Sequence, residues 1–522
     1  MPRASYDVCL HLRHMSLLTD AFAALRQDEL GTPEAWRPVY RRALIDAFEQ
    51  GRLGEAAELT SFAAVALEAQ GHYSDALAEL EFAIPRVTES PDVSATLLAT
   101  LAVTHAFASN DAAMHAIDAA ESLRPRMTDP YTLELVESLA AIVGLIFFQS
   151  GGVDRATRIA KEAREEGYAW IGQGVDIWTI PAIAAAGSVR NARPWSNMLA
   201  AEVEALKSNY RRADTAAIEF CLRTAFERPE FDPTPFETMR RNRMAAWRAR
   251  TAALRGAVLD GDRARAALHL DAMEELAGSL NPGHTWGLPV FRAVAMGLTD
   301  ATLNADIAPP EQVTLVNLPA VLAALETVSA VGSQQQAADW LHWYEQSFPT
   351  DVLSSLEWPA SVERLTGLLM ARAGYERAGI TSMERGLRRL RSDDAPVERA
   401  VCETQLAEML AHGSAASPRR WPGLRREGTA ALRAFGVNHL MVSSIATDAI
   451  AWGRVAAAEP RLSPREVEVL ARLADGLSYR EVGEELGIEW RTAQAHARNI
   501  YAKLGVTGKL QAARRALELG II

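Results

Sequence analysis

Two side chains near the end of the chain have the types and spacing needed to read DNA bases. Gln494 and Arg498 lie four residues apart in a segment with helical periodicity, so they point to the same side, one turn apart. Amide and guanidinium groups can form two-pronged hydrogen bonds with the edges of adenine and guanine in the major groove. The small Ala495 between them would let the helix approach the bases closely. The pattern therefore predicts a DNA-reading helix.

The segment 461–522 that contains these residues has the pattern of four short helices. Ser463 and Ser478 each precede a glutamate three residues later, which is the pattern of a capping box at a helix start. Gly487 ends the second helix, and this helix, the turn and the third helix form a helix-turn-helix. Helical spacing of small and apolar residues in the third helix predicts a buried stripe of Ala493, Ala497, Ile500 and Leu504.

Further residues in 461–522 agree in order and spacing with one known family. They are Leu462 to Glu466, Val469-Leu470, Gly476-Leu477-Ser478, Glu481-Val482, Leu486-Gly487-Ile488, Thr492, His496, Asn499-Ile500, Lys503 to Val506, and Ala516 to Gly520. With these residues the segment resembles the DNA-binding domain of LuxR/NarL-type bacterial transcription regulators. The resemblance implies a four-helix domain whose third helix enters the major groove.

The resemblance also implies which residues meet DNA. Base-edge contacts would come from Gln494, Ala495 and Arg498, and phosphate contacts from Thr492, Lys503 and the amides at the helix start near Ser478. The full candidate set on this face is Ser478, Arg491, Thr492, Gln494, Ala495, Arg498, Asn499 and Lys503. In the family the fourth helix usually pairs two domains, which implies a homodimer reading two half-sites about one DNA turn apart.

Five residues depart from the family's pattern, among them Ala493 and Val482, where the family usually has Val and Ile. The family usually has Ser at Glu489 and Lys or Arg at Gln494, so this chain gains a negative charge and lacks a positive one where phosphate is expected. Gly483 replaces a more usual alanine and should cost its helix about 0.5–1 kcal/mol. Ten basic and eight acidic residues in 461–522 predict weak non-specific binding. A dimer or a partner would supply the missing affinity; a partial loss of DNA function is the alternative.

Composition separates this segment from the rest of the chain. The chain has 522 residues and a net charge of −12, so residues 1–460 carry −14 and are not a nucleic-acid surface. The three cysteines (Cys9, Cys221 and Cys402) are far apart, which favours a reducing cytoplasm. The sequence has no signal-peptide pattern and no apolar run of membrane-spanning length, so we expect a cytoplasmic protein without a membrane segment.

Residues 1–452 have the pattern of consecutive helices rich in Ala, Leu, Glu and Arg. Units starting at Gly71, Asp111 and Gly151 place alanine five residues later, and Gly261 and, loosely, Ala373 repeat this. The signature Gly71-His72-Tyr73-Ser74-Asp75-Ala76 resembles the tetratricopeptide family, although the interval of 40 residues is longer than the usual ~34. We predict an all-α helical-hairpin (tetratricopeptide-like) solenoid; a non-repetitive helical bundle is the alternative.

Domain boundaries follow from these patterns. We predict a tetratricopeptide-like sensor or interaction domain over 1–452, a linker over 453–460 and the DNA-binding domain over 461–522. Breaks near 281–284 and 308–310 and a loop over 413–420 interrupt the body, and residues 428–440 open a last helical pair before the linker.

The body has two candidate ligand-binding groups. One consists of aromatic residues, which would suit a groove or simply fill the core: Trp170, Trp178, Trp195, Phe231 to Phe236, Trp247, Trp340, Trp343 and Trp358. The other is a basic cluster, which would bind an anion or form a solvated helix face: Arg240, Arg241, Arg243, Arg248 and Arg250.

The sequence contains no recognised catalytic, phosphate-binding or zinc motif. The Gly508-Lys509 pair lacks the rest of a phosphate-binding loop. His11 and His14, with only Cys9 nearby, are expected to be surface or core residues, and His496 to be structural or near phosphate. We therefore predict neither an enzyme nor a cofactor or metal site.

Together these patterns predict a cytoplasmic transcription regulator. Its helical body would bind an unidentified small molecule or protein and shift the balance between arrangements that hide or present paired recognition helices on double-stranded DNA. The alternative is a helical interaction scaffold that uses a degenerate helix-turn-helix for docking.

Overall fold

The computed structural model describes most of the chain. The described residues are 33–187, 189–205, 209–226, 239, 242–295, 307–390, 395–412, 421–438, 442–443, 445–446, 449, 462, 464–504, 506 and 508–518. Within these ranges no residue lies in a β-strand, and the all-α prediction is confirmed. None of the described helices is both long and apolar enough to cross a bilayer.

The helices fall into a body and a C-terminal group. The body contains α1 (Pro33–Glu49), α2 (Leu53–Ala69), α3 (Tyr73–Ala83), α4 (Pro91–Phe107), α5 (Ala112–Ser122), α6 (Pro130–Ile146), α7 (Gly152–Glu165), α8 (Ala169–Ala185), α9 (Val189–Ala205), α10 (Asn209–Phe226), α11 (Arg243–Asp260), α12 (Arg263–Ala277), α13 (Pro282–Thr285), α14 (Leu288–Ala295), α15 (Leu318–Val331), α16 (Gln334–Ser347), α17 (Val362–Arg372), α18 (Glu376–Arg389), α19 (Pro396–His412) and α20 (Trp421–Ala434). The C-terminal group contains α21 (Pro464–Ala474), α22 (Tyr479–Leu486), α23 (Trp490–Leu504) and α24 (Lys509–Glu518).

Consecutive helices of the body form antiparallel hairpins. Each of α2, α4, α6 and α8 packs against the helix that follows it, and these four also pack side by side as an inner layer. They are apolar on most sides because they are covered on most sides; α6, for example, buries Val136 and the run from Ala140 to Ile146. The second helices face solvent on one side, so α7 buries only Ala156, Ile159, Ala160 and Ala163.

A left-handed residue ends the first helix of each of these hairpins. It is Gly71 (φ 84°), Ser109 (φ 55°), Phe148 (φ 52°) and Gly187 (φ 88°) in turn. The first helices begin at residues 53, 91, 130, 169 and 209, so the interval is 38 to 40 residues rather than a constant 40. The predicted unit at Asp111 has therefore not simply lost its glycine, because Ser109 adopts the glycine's conformation two residues earlier.

The predicted unit at Ala373 is one residue out of register. The left-handed residue is Gly374 (φ 94°), and five residues later Gly379 is buried while Ala378 is exposed. A Cβ on Gly379 would lie 2.4 Å from the carbonyl oxygen of Gly367, so α17 and α18 cross at backbone contact. Backbone contact explains why glycine, and not alanine, occupies this position.

The carbonyl ends of several first helices are capped by distant parts of the chain. The Leu315 amide donates to the Ile146 carbonyl oxygen at 2.8 Å, and the Leu353 amide to the Ala185 carbonyl oxygen at 2.7 Å. These carbonyls lie in the last turn of a helix and have no partner within it. The segments around 315 and 353 therefore run across the hairpin ends and join the first ten helices of the body (α1 to α10) to the later ones (α11 to α20).

Some predictions concern residues outside the described ranges. They are the linker 453–460, Ser463, Cys9, His11, His14, Phe231 to Phe236, Arg240, Arg241 and the loop 413–420. The break predicted at 281–284 is present as the one-turn helix α13, which Asn281 caps through its side chain.

The C-terminal helices enclose a core of their own. Val469 and Leu473 of α21, Val482 of α22 and Ala512 of α24 meet the inner side of α23. Tyr375, in the turn between α17 and α18, packs against this core and against the main core of the body.

Candidate nucleic-acid interface

The start and end of α22 are fixed by local hydrogen bonds. The Ser478 hydroxyl accepts a hydrogen bond from the Glu481 amide. The Glu481 carboxylate in turn accepts one from the Ser478 amide at 2.7 Å, and the two bonds form the predicted capping box. These bonds lower the pKa of the Glu481 carboxyl. At the other end Gly487 has φ 65°, which a residue with a side chain adopts only with strain. The chain thus turns sharply between α22 and α23.

Gly483 allows α22 and α23 to approach closely. A Cβ at this position would lie 2.7 Å from the Ile488 carbonyl oxygen and 3.2 Å from the Trp490 nitrogen. The sequence predicted only a cost from this glycine. The structure shows that alanine could not fit unless the turn moved, so the glycine is required by the packing of the helix-turn-helix.

Helix α23 divides into a buried side and an exposed side. Ala493, Ala497 and Ile500 are fully buried and Leu504 is 5% exposed, which confirms the predicted stripe. The opposite side carries most of the predicted DNA-contacting residues in exposed positions: Arg491, Thr492, Ala495, Arg498 and Asn499. Gln494 is half-buried at the edge of this face, and Ser478 is exposed at the start of α22. Six of the eight candidate residues thus lie along one face of α23, Ser478 lies at the start of α22, and Lys503, which is also exposed, lies in the last turn of α23.

Lys503 has a partner within the domain. Its ammonium nitrogen lies 2.7 Å from the Glu466 carboxylate, which is only 6% exposed. A contact with phosphate would have to compete with this ion pair. The pairing ties the last turn of α23 to α21, a structural role that the sequence analysis missed because the two residues lie in different helices.

The two arginines of α23 differ in their partners from the arginines of α21 and α22. Arg465, Arg472 and Arg480 pair with Glu468, Glu485 and Glu484, respectively. No acidic side chain among the described residues pairs with Arg498, and Arg491 lies over the Trp490 ring at 5.4 Å. The unneutralised positive charge of these helices is therefore concentrated on the exposed face of α23.

Two exposed residues precede this face. Glu489 is exposed directly before α23, so its negative charge lies beside the candidate residues as the sequence suggested. Trp490 was missed: it is 49% exposed although it lies at the spacing of the buried stripe, one turn before Ala493. The stripe's periodicity would place it inside, but the close approach of Gly483 to its backbone leaves the ring outside the core.

The described aromatic residues of the body are buried or half-buried, and the described basic residues Arg243, Arg248 and Arg250 are half-buried. Trp178, Trp247, Trp340 and Trp358 are buried, while Trp170, Trp195 and Trp343 are half-buried. Arg250 contacts His269 at 3.1 Å, and burial lowers the pKa of both residues. Trp178, Trp247 and Arg248 line a common cleft with Glu357.

The described cysteines and metal-ligating residues show no assembled site. Cys221 and Cys402 are buried free thiols, and burial raises the pKa of each. Across the part of the chain that the structure describes, no three His, Cys, Asp or Glu side chains converge as metal ligands would.

Comparison with known proteins places a family match on the C-terminal helices. Residues 460–516 match the family of bacterial regulatory proteins, luxR family. The transcriptional regulatory protein MctR of Rhizobium johnstonii is 39% identical over 80 residues, which are 15% of this chain and 37% of MctR. The probable HTH-type transcriptional regulator GfsR of Streptomyces halstedii is 41% identical over 73 residues, 14% of this chain and 30% of GfsR. The transcriptional regulatory protein LiaR of Bacillus subtilis is 44% identical over 52 residues, 10% of this chain and 25% of LiaR.

These matches cover only part of each relative. The matched segment spans 37% of MctR, 30% of GfsR and 25% of LiaR. The chain therefore carries a LuxR-family helix-turn-helix at its C-terminal end, and these relatives are named as transcriptional regulators rather than enzymes.

Proposed function

We propose that the protein is a bacterial DNA-binding transcription regulator that acts in the cytoplasm. Helix α23 would enter the major groove of double-stranded DNA, with two copies of the chain binding as a dimer. A ligand or partner bound to the helical body, a tetratricopeptide-like solenoid, would control this binding.

One observation carries the proposal: the exposed side of α23 combines base-reading groups with unneutralised positive charge. Arg498 and Asn499 are exposed beside the small Ala495, and the opposite side of the helix is buried in the domain core. A helix that is anchored on one side and polar on the other fits the major groove, where guanidinium and amide groups distinguish base pairs.

The charge balance supports a dimer. The ten basic and eight acidic residues of 461–522 give little attraction for phosphates, and Glu489 reduces it further. Two domains bound to one DNA molecule would combine their contacts, so a dimer recovers affinity that a single domain lacks. The half-sites would then be about one helical turn of DNA apart.

The contact at Tyr375 supports control by the body. This residue packs against the cores of both regions, so a rearrangement of α17 and α18 would reach the DNA-binding helices directly. A ligand shifts such an equilibrium only by its difference in affinity for the two arrangements.

The test is a selection of random double-stranded DNA on the full-length protein at near-physiological salt, followed by binding measurements on the enriched sequence. We expect a two-fold symmetric motif, and Arg498→Ala should cost about 1–3 kcal/mol with relaxed preference at one base position. Arg426→Ala is the matched control, because Arg426 is 80% exposed on α20 and its loss changes the net charge equally. Equal losses for both variants would contradict base reading by Arg498.

The second candidate is an interaction scaffold that docks through its C-terminal helices. The exposed Trp490 favours it, because aromatic rings are enriched at protein–protein interfaces, and the neighbouring Glu489 carries a charge that repels phosphate. No enriched DNA, with and without cell extract as a source of inducer, would support the scaffold and reject the regulator.

A further inference from the structure

A row of arginines lies along the exposed side of α18. Arg385 and Arg388 follow Arg377 by eight and eleven residues, which places the three side chains within about 80° of one another around the helix. All three are exposed, and together they are named here the α18 stripe. Four arginines and two glutamates give α18 a net charge of +2, although residues 1–460 together carry −14. The stripe is therefore a local concentration of positive charge on an acidic body.

The fold does not neutralise the α18 stripe. No acidic side chain among the described residues forms an ion pair with any of its three members, and Arg385 meets only the neutral Ser382 hydroxyl, at 3.3 Å. The adjacent Arg389 differs, because it pairs with the buried Glu363. Glu384 lies on the same side of α18 but is half-buried, and none of the ion pairs between described residues joins it to the stripe. The three charges thus remain available to a partner molecule.

Other exposed arginines of the body that have no acidic partner occur singly. They are Arg42 of α1, Arg86 and Arg126 in the turns after α3 and α5, and Arg263 of α12. Arg86 lies over the Phe82 ring at 3.8 Å. Within the described part of the body, α18 is the helix that brings more than one such charge to the same side.

The stability of α18 does not explain this arrangement. Arg377 is the second residue of the helix, where the partial positive charge of a helix start disfavours a positive side chain. At the other end the helix dipole favours Arg388, but Arg399 of α19 already donates to the carbonyl oxygens of Leu387 and Leu390. The stripe therefore opposes folding at the start of the helix and is not needed to cap its end.

The buried side of α18 holds the stripe in place. Two glycines let the helix pack closely on α17: a Cβ on Gly386 would lie 3.0 Å from the Glu363 Cβ, and one on Gly379 would meet the α17 backbone. Tyr375, directly before α18, packs against the core of the C-terminal helices. Arg377 follows this contact by two residues, so the stripe begins beside the DNA-binding domain and continues along a firmly packed helix.

The length and charge of the stripe match the backbone of a nucleic-acid duplex. From Arg377 to Arg388 the helix rises about 16 Å. One strand of a duplex presents a phosphate every ~3.4 Å along the axis, so the stripe is as long as about five phosphates. Guanidinium groups form strong, often two-pronged hydrogen bonds with phosphate oxygens. Such contacts position a protein on DNA and do not read its sequence.

We propose that the α18 stripe binds the phosphate backbone of double-stranded DNA beside the site that α23 reads. It adds three positive charges to a segment, 461–522, whose own net charge is only +2, and so supplies affinity that the C-terminal helices lack. The inference rests on the proposed function, because that function makes DNA the polyanion bound by the adjoining domain. The stripe is a local exception to the prediction that residues 1–460 are not a nucleic-acid surface.

The experiment measures binding of the full-length protein to a duplex of arbitrary sequence by fluorescence anisotropy over a series of salt concentrations. The variant combines Arg377→Gln, Arg385→Gln and Arg388→Gln. Each lost phosphate contact lowers the slope of log affinity against log salt by about 0.9, so the triple variant should lower it by about 2–3. Affinity at about 50 mM salt should fall at least about tenfold. The melting temperature should not change, because the three side chains are exposed.

Two controls separate a local contact from a general effect of charge. Glutamine at Arg42, Arg126 and Arg263 removes three equally exposed charges elsewhere on the body, and the slope should stay within about 0.5 of the wild-type value. Lysine at the three stripe positions keeps the charge and should keep most of the slope. Equal decreases in the two glutamine variants, or a full decrease with lysine, overturn the proposal. An unchanged slope in the stripe variant also overturns it and leaves an acidic protein surface as the occupant.

The two proposals fail in different ways. An enriched palindrome that wild type and the stripe variant bind equally well, on duplexes with long flanks, rejects the stripe and retains the regulator. A slope that falls in the stripe variant, without any enriched sequence, retains the stripe as a duplex-binding surface and rejects the sequence-specific regulator.

Discussion

In the helical body, Arg364 is fully buried and its guanidinium meets Glu398 at 2.6 Å and Glu326 at 2.8 Å, while Arg255 meets the other oxygen of Glu398 at 3.0 Å. In the C-terminal domain, Arg480 and Glu484 lie 3.3 Å apart with side chains 83% and 68% exposed. Two arginines and two glutamates neutralise each other inside the body, whereas the pair on α22 is mostly exposed to solvent.

The difference separates two uses of charge. A buried pair depends on every partner, because the loss of one leaves the other in a medium that solvates it poorly. An exposed pair contributes little to folding, so its charges remain available for attraction to a partner molecule. Buried charge in the body should therefore determine stability, and exposed charge in the C-terminal domain should determine binding; the pair of Lys503 with the buried Glu466 is the exception.

Loss of a buried charge should have the largest effect. Arg364→Met leaves Glu398 and Glu326 without their shared partner, and we expect the free energy of unfolding to fall by about 3–5 kcal/mol. Arg480→Met removes an exposed charge and should change it by less than ~0.5 kcal/mol. Urea unfolding followed by tryptophan fluorescence and circular dichroism measures both. Similar losses in the two variants would break the comparison.

Glycine turns extend the comparison to the backbone. A Cβ on Gly71 would lie 2.2 Å from the Ser279 carbonyl oxygen, whereas nothing lies within 4 Å of one on Gly487. Both glycines are left-handed, so alanine strains both by about 1–2 kcal/mol. Gly71→Ala must also displace the Ser279 backbone and should cost about 2–4 kcal/mol in total. Thermal unfolding of the two variants separates strain alone from strain plus overlap; equal costs would mean that the contact at Ser279 yields freely.

These two turns also show how much of the fold could be predicted from the sequence. The capping box at Ser478 and the left-handed turn at Gly487 follow from neighbouring residues, because each rests on hydrogen bonds within one turn of helix. The contact of Gly71 with Ser279 joins parts of the chain that no local pattern relates. The sequence therefore predicted the C-terminal helices closely, and in the body only the hairpins.

The same distinction holds for the candidate sites. Periodicity placed Arg498 and Asn499 on one face because a single helix carries both. The cleft could not be predicted, since Arg248 and Glu357 meet only after the segment around 353 has paired with the end of α8. Phe148 adopts a left-handed conformation without being glycine, so residue type did not reveal that turn either.

A buried carboxyl that has no basic partner among the described residues should make stability depend on pH. Glu68 is 4% exposed, one of its oxygens has no hydrogen-bond partner among the described residues, and burial raises its pKa to about 8. The folded protein then keeps a proton that the unfolded chain loses near pH 4.5. The contribution of this group is therefore favourable at low pH and is lost as pH rises from about 4.5 to about 8.

Glu68→Gln should remove this dependence. Between pH 6 and pH 8 the variant should gain about 1–2 kcal/mol of stability relative to the wild type, because glutamine has no proton to lose. The measurement is urea unfolding at a series of pH values, with the exposed Glu89→Gln as the control whose curve should stay parallel to that of the wild type. A constant difference between Glu68→Gln and wild type across the series would show that the carboxyl is ionised in the fold.

The smallest expected effect concerns an exposed charge beside the proposed DNA face. Glu489→Gln removes one negative charge directly before α23 without changing a buried contact, so unfolding should be unaffected. Affinity for the selected DNA should rise about two- to fivefold at physiological salt and less at higher salt, because salt screens the repulsion between the carboxylate and the phosphates.

Glu427→Gln, an exposed change on α20 with the same loss of charge, is the control. A gain in affinity that persists at high salt would mean that glutamine forms a new contact, and a gain shared with Glu427→Gln would show that only the net charge of the chain matters. A gain confined to Glu489 and lost in salt would place its carboxylate beside the phosphates, which is where the proposed docking of α23 puts it.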